Sequence, residues 1–221
     1  QLALYGTGDR WSGRLSVAYV DGDRDDDHLR FDDSYLAGIF GNWQLGVGAI
    51  DRWWGPGWQS SLAMSNNARP VPGLWLSRHM PLAPESRWLS WVGPWDLQLI
   101  AGQLEHHRAI PDAKVLGARF VFRPFDSLQI GLSRLAQWGG EGRPQDFGAF
   151  WDALIGRDNG ETSGFEEGED PSNQLGGVDF RLSFAPGNVP MGLYGQFMGE
   201  DEAGGLPSKL SSLAGLDMVT T

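Results

Sequence analysis

The chain has 221 residues, 32 of them glycine and 11 tryptophan, with no cysteine and a net charge of −11 at neutral pH. It holds no run of about 18 apolar residues, which excludes a membrane-crossing helix, and the missing cysteines exclude disulfides, thiol catalysis and thiolate metal sites. The acidity argues against nucleic-acid binding, and glycine without a collagen period, beside 41% hydrophobic residues, sets aside collagen and disorder.

Taken in order, the chain opens inside an apparent strand, Leu2–Tyr5. Val20–Asp33 then carries seven acids against Arg24 and Arg30 and reads as a solvated loop. Asp21 to Asp27 with Asp32 superficially resembles a calcium loop, but it lacks the central glycine and the closing glutamate, so it reads as a loop that attracts cations. A two-residue hairpin turn at Gly41–Asn42 leads into Trp43, Leu45, Val47 and Ala49, which alternate with Gln44, Gly46 and Gly48. Asp51–Ser86 is a long connection, and Val92–Pro94 is short. Trp95, Leu97, Leu99 and Ala101 alternate with Asp96, Gln98 and Gly102. After Glu105–Ala113, Leu116, Ala118, Phe120 and Phe122 alternate with Gly117, Arg119 and Arg123.

Pro124–Ser127 is a tight turn, and Leu128, Ile130 and Leu132 alternate with Gln129, Gly131 and Ser133. Trp138–Asn173 is a 36-residue segment with nine acids against Arg143 and Arg157. Glu166, Glu167, Glu169 and Asp170 within it read as a second solvated acidic run. Val178, Phe180, Leu182 and Phe184 alternate with Asp179, Arg181 and Ser183. Pro186–Val189 is tight, Glu200–Ser208 is longer, and the sequence stops near Leu213–Val219 in another strand.

Period-two patterning throughout makes this an all-β protein. A soluble sandwich would bury its apolar faces between sheets, whereas a membrane barrel turns them to lipid. The polar faces are rich in Gly, Gln, Ser and Arg, which suits a wet lumen. Aromatic residues sit at strand ends (Trp11, Trp43, Trp88, Trp91, Trp95, Phe125, Trp138), as in the girdles of outer-membrane barrels. Connections alternate between short and long, which is the order of periplasmic turns and extracellular loops and puts both acidic segments outside. These features predict an antiparallel up-and-down transmembrane barrel with about eleven crossings. No signal peptide precedes the first strand, and bacterial barrels close on an even strand number. Residues 1–221 are therefore expected to be a single partial barrel domain, an internal piece of a larger barrel.

Barrel physics does not explain Asp51–Pro70, DRWWGPGWQSSLAMSNNARP. The turn Gly55-Pro56-Gly57 holds Trp53, Trp54 and Trp58 close together, with Asn66, Asn67 and Arg69 following. Indole faces pack on the C–H faces of sugar rings, and amide and guanidinium groups suit hydroxyls and carboxylates. The candidate polysaccharide-binding residues are therefore Arg52, Trp53, Trp54, Trp58, Asn66, Asn67 and Arg69. The same segment also reads as a folded-in loop whose tryptophans are packing wedges.

This run, with WVGPW at Trp91–Trp95 and YGQFMGEDEAGGLPSK at Tyr194–Lys209, resembles the capsule assembly Wzi family. The resemblance implies an outer-membrane barrel larger than this chain, lectin-like and without catalysis, that helps attach capsular or extracellular polysaccharide to the bacterial surface. Its partners would be that polysaccharide together with outer-membrane lipid and lipopolysaccharide, with no cofactor. The alternative function is a porin-like channel for small solutes.

Other constellations are weaker. His106-His107 sits in a loop with no third metal ligand placed by spacing, and neither a carboxylate pair nor a nucleophile with a placed base stands out. Arg14, Arg119, Arg123, Arg134 and Arg181 are expected on inward faces. There they would form either a basic lumen or ion pairs with Asp96, Asp179 and Glu105.

Overall fold

The computed structural model describes residues 1–21, 28–148, 150–151, 172–201 and 207–219. Its strands are β1 (Leu2–Gly8), β2 (Trp11–Tyr19), β3 (Leu29–Arg30), β4 (Tyr35–Phe40), β5 (Trp43–Gly48), β6 (Gly73–Arg78), β7 (Trp95–Gln103), β8 (Lys114–Phe125), β9 (Leu128–Trp138), β10 (Ser172–Phe184), β11 (Met191–Asp201) and β12 (Pro207–Met218). They form one 12-stranded antiparallel sheet in sequence order from β1 to β12, with the short β3 set aside against β2. The main path has eleven strands, matching the crossings expected from the sequence, and β1 and β12 stand at its two ends.

The two faces follow from register. Leu45, Leu76, Leu99 and Ala118 are cross-strand partners in one row, while Gly46, Trp75, Ile100, Gly117 and Leu135 form the neighbouring row on the opposite face. The first face exposes Leu15, Leu36, Leu45, Val47, Leu74, Leu132 and Leu216 to the surroundings, the pattern of a wall turned to lipid. The core lies on the second, concave face, where Ala37, Trp54, Trp75 and Ile100 cluster. Trp54 comes from no strand at all.

Connections 9–10, 41–42, 79–94, 126–127 and 185–190 lie at one end of the sheet; 49–72 and 104–113 lie at the other, the end at which β2 leads to β4, β9 to β10 and β11 to β12. Both acidic segments therefore connect strands at the same end, as expected. The calcium-like stretch Gly22–Asp27 and the residues Glu166, Glu167, Glu169 and Asp170 lie outside the described residues.

Two sequence expectations need correction. The connection Asp51–Ser86 is not continuous, because β6 occupies its middle, and Val92–Pro94 is not a short connection of its own but the end of one that runs from 79 to 94. Leu74 and Leu76 face outward there, but Trp75 on the inner face is apolar too, and Pro70 and Pro72 precede the strand, so no apolar/polar contrast marks it. The aromatic girdle is also uneven. Trp11, Trp43, Trp88, Trp91, Trp95 and Phe125 gather at the short-turn end, leaving Trp138 at the other. At the short-turn end the Arg78 guanidinium stacks 3.8 Å from the Trp95 ring centre, and Trp91 meets Phe122 edge-on at 6.1 Å. Trp88, 89% exposed, projects from the same belt.

Candidate functional site

After β5 the chain turns into the space enclosed by the sheet. Trp54 is 0% exposed. Its indole N–H donates to Gln98 Oε1 at 3.0 Å, its N–H donates to the Met64 carbonyl at 2.9 Å, and its carbonyl accepts from Gln196 Nε2 at 2.8 Å and Ser61 Oγ at 2.7 Å. Gln196 Oε1 in turn accepts the Leu62 N–H at 2.8 Å. The Gln196 amide is thereby read at both ends and has one orientation. On β8, a side chain at Gly117 would come within 2.8 Å of the edge of the Trp54 ring, so glycine here gives the indole its room against the wall.

The loop apex goes deeper. Arg181 grips Asp217 through two bonds of 2.8 Å and also donates to the Pro56 carbonyl at 3.3 Å. Arg181 and Asp217 lie towards the short-turn ends of β10 and β12. Trp58 follows this apex and is 79% exposed. The Trp53 indole closes the turn by donating to the Gly57 carbonyl at 2.7 Å. Anchored on β7, β10 and β11, the loop is a plug around which the sheet curls.

The return arm climbs to the long-loop end. Asn66 and Asn67 are exposed there. Arg69 donates to both oxygens of Asp32 at 3.0 and 2.9 Å and pairs with Glu105 at 2.9 Å, so it staples three outer connections together. Arg52 donates to the Ile50 carbonyl at 3.0 Å and lies 5.5 Å over the Trp75 ring. Between this arm and the wall is a chamber of about 340 Å³, with Asp51, Arg52, Arg69, Gln137, Asn173 and Glu200 among its polar lining.

The structure therefore separates the seven candidate residues. Trp54 is consumed by packing, Trp53 by its own turn, and Trp58 lies near the opposite end of the lumen from Asn66 and Asn67. Arg52, Asn66, Asn67 and Arg69 remain grouped at the mouth. The partners that hold the loop, Gln98 and Gln196, and Asp217, which holds Arg181 against it, were not singled out from the sequence. Their inward position on alternating strands is the only trace they leave in the sequence.

Of the inward arginines, Arg119 forms a buried pair with Asp179 at 2.7 Å and also donates to Ser133. Arg181 pairs with Asp217, Arg14 lies 3.7 Å from Asp33, and Arg123 donates to Gln129. These contacts favour internal pairing over an open basic lumen. Asp179 has the expected role, Glu105 serves Arg69 and Arg108, and Asp96 accepts from Gln98. Arg134 is corrected: it shares the outward face of β9 with Leu132, and its guanidinium bonds to Gln174.

Burial first, then the charges of Asp33 and Asp32, raises the Asp51 carboxyl above its ordinary value. A raised folded-state value means that this contribution is fully present below the unfolded pKa and is lost as pH rises through the folded one. Asp51→Asn is therefore expected to raise the unfolding temperature at pH 7, with the gain vanishing below about pH 4. Unfolding scans of both proteins at the two pH values check this; a gain of equal size at both would contradict it.

The description of a protein-family model, Capsule assembly protein Wzi, fits residues 2–221. The chain belongs to the Wzi capsule assembly family. A Klebsiella pneumoniae relative, described as an uncharacterized 55.8 kDa protein in the cps region, is 42% identical over 219 residues, covering 98% of this chain and 42% of its own. The solved Wzi of Escherichia coli, an outer-membrane protein involved in group 1 capsule assembly and a carbohydrate-binding β-barrel, superposes with a TM-score of 0.80 at 37% identity. That match covers 97% of this chain and 45% of the other. The chain thus spans less than half the length of these two relatives, and its sheet is an open arc of a barrel of the outer membrane.

Proposed function

We propose that the protein holds capsular or extracellular polysaccharide at the long-loop mouth of the barrel, without catalysis. One observation carries this reading: the 49–72 loop packs into the lumen through apolar and amide contacts, yet Arg52 and Arg69 line an outer chamber and Asn66 and Asn67 stand exposed beside it. A lumen filled in this way favours binding over porin-like conduction. The carbohydrate-binding Wzi relative of E. coli supports the same ligand class. Residues 1–221 act as one partial barrel domain, and the exposed leucines of its outer wall meet outer-membrane lipid and lipopolysaccharide.

In this proposal the tryptophans have unequal parts. Trp54 and Trp53 set the shape of the loop, and Trp58 stacks only with what reaches the inner end. Sugar hydroxyls are met by Asn66 and Asn67, and acidic groups by Arg52 and Arg69. Each neutral hydrogen bond is worth about 1 kcal/mol net. An Asn66→Ala, Asn67→Ala double change should therefore weaken retention of capsular polysaccharide by about 2 kcal/mol, roughly thirtyfold in Kd. Quantitative binding to protein in proteoliposomes tests it, and unchanged binding at normal barrel content would reject the mouth as the site.

A further inference from the structure

Two outer connections beside the proposed glycan mouth bring metal-ligating groups together. His106 and Asp112 come from the 104–113 connection, and Glu141 arrives from the one after β9. One ligand atom from each of the three lies within 4.8 Å of the others. His106 Nδ1 is 3.0 Å from Asp112 Oδ2. From sequence the adjacent His106 and His107 lacked a third ligand, because Asp112 and Glu141 come close only through the fold.

The backbone builds this convergence. Leu104 N–H donates to the Ala113 carbonyl at 2.8 Å and closes the first loop. Glu141 N–H donates to the Pro111 carbonyl at 3.0 Å and pins the second loop against it. Gly140 makes the approach possible: its φ is 102°, and a side chain there would come within 2.7 Å of the Pro111 carbonyl. Asp112, itself at φ 56°, accepts from Gln103 Nε2 at 3.2 Å through Oδ1. That bond directs the other oxygen, Oδ2, at the imidazole, and such supporting bonds orient first ligands in metal sites.

We propose that His106, Asp112 and Glu141 form a zinc-class divalent metal site that clamps the two outer loops together. One imidazole and two carboxylates suit a borderline ion such as Zn²⁺ better than Ca²⁺, which takes oxygen ligands. Ligands in a tetrahedral zinc site stand about 3.4 Å apart. The exposed His106 and Glu141 side chains can close the remaining distance by rotation about their own bonds. Three protein ligands leave one coordination position for water or for an oxygen of a bound molecule.

The test is calorimetric titration of ZnCl₂ into the full-length protein, extracted from outer membranes in detergent and stripped with EDTA. One saturable site is expected, weakened by His106→Ala or Glu141→Gln by more than the roughly 10- to 100-fold that loss of a supporting outer partner costs, and kept by His107→Ala. Circular dichroism confirms that each variant retains its strand content. Absence of saturable binding in the wild-type protein would overturn the site. Equal affinity in the His106→Ala, Glu141→Gln double variant, or loss with His107→Ala alone, would overturn this ligand set.

Discussion

Arg119→Ala is expected to destabilise the barrel by about 3–5 kcal/mol. Arg119 and Asp179 are almost wholly buried, and the guanidinium meets both carboxylate oxygens, at 2.7 and 3.0 Å. The pair spans β8 to β10 across β9, where Gly131 leaves room: a side chain there would lie about 2.5 Å from the Asp179 carboxylate. Removing the arginine leaves a buried charge without its counter-charge, which is the expensive case; removing both charges is not. The double change Arg119→Leu, Asp179→Leu should accordingly recover most of the loss. Urea unfolding of the detergent-purified protein, read by tryptophan fluorescence, measures both. Equal destabilisation by the single and double changes would show that the pair matters only for shape.

Trp54→Ala should act on the plug instead of the wall. Emptying a site of this size costs about 3–5 kcal/mol in a packed core, and Gln98 would lose the indole donor it now accepts. The Gln196 amide would still meet the backbone of residues 54 and 62, but the ring that fixes the loop against Gly117 would be gone. The expected result is a looser loop, seen as greater proteolysis between residues 50 and 70 and as ion conductance in planar bilayers absent from the wild type. A sealed bilayer and an uncut loop would mean that other contacts suffice to hold the plug.

The legibility of the fold varied with how each strand uses its two faces. β7, β8 and β9 place leucine and phenylalanine outside against glutamine, glycine, serine and arginine inside, so alternation showed them. β6 puts Trp75 inside between Leu74 and Leu76, and its contrast disappears. The outward position of Arg134 was present in the same alternation that marks Leu128, Ile130 and Leu132, but its charge suggested a lumen.

The candidate site was legible as a segment and not as a geometry. WWGPGW singles itself out by composition, yet Trp54 finds Gln98 and Gln196 at sequence separations of 44 and 142. No local pattern encodes such distant partners. Asn66, Asn67 and Arg69 were found by chemistry, and the stapling of Arg69 to Asp32 and Glu105 emerges only when three connections meet at one end of the sheet. The opening excess of glycine acquires a partial reason here too, since Gly117 and Gly131 give room to an indole and to a carboxylate inside the barrel.

On this reading a plugged barrel binds polysaccharide at its long-loop mouth and leaves it intact. Equilibrium binding of purified capsular polysaccharide to wild-type protein, oriented in proteoliposomes with the long loops outward, tests it most directly. Saturable binding is expected, with the polymer recovered at its original length and linkage. Absence of saturable binding, or recovery of shortened chains, would contradict it.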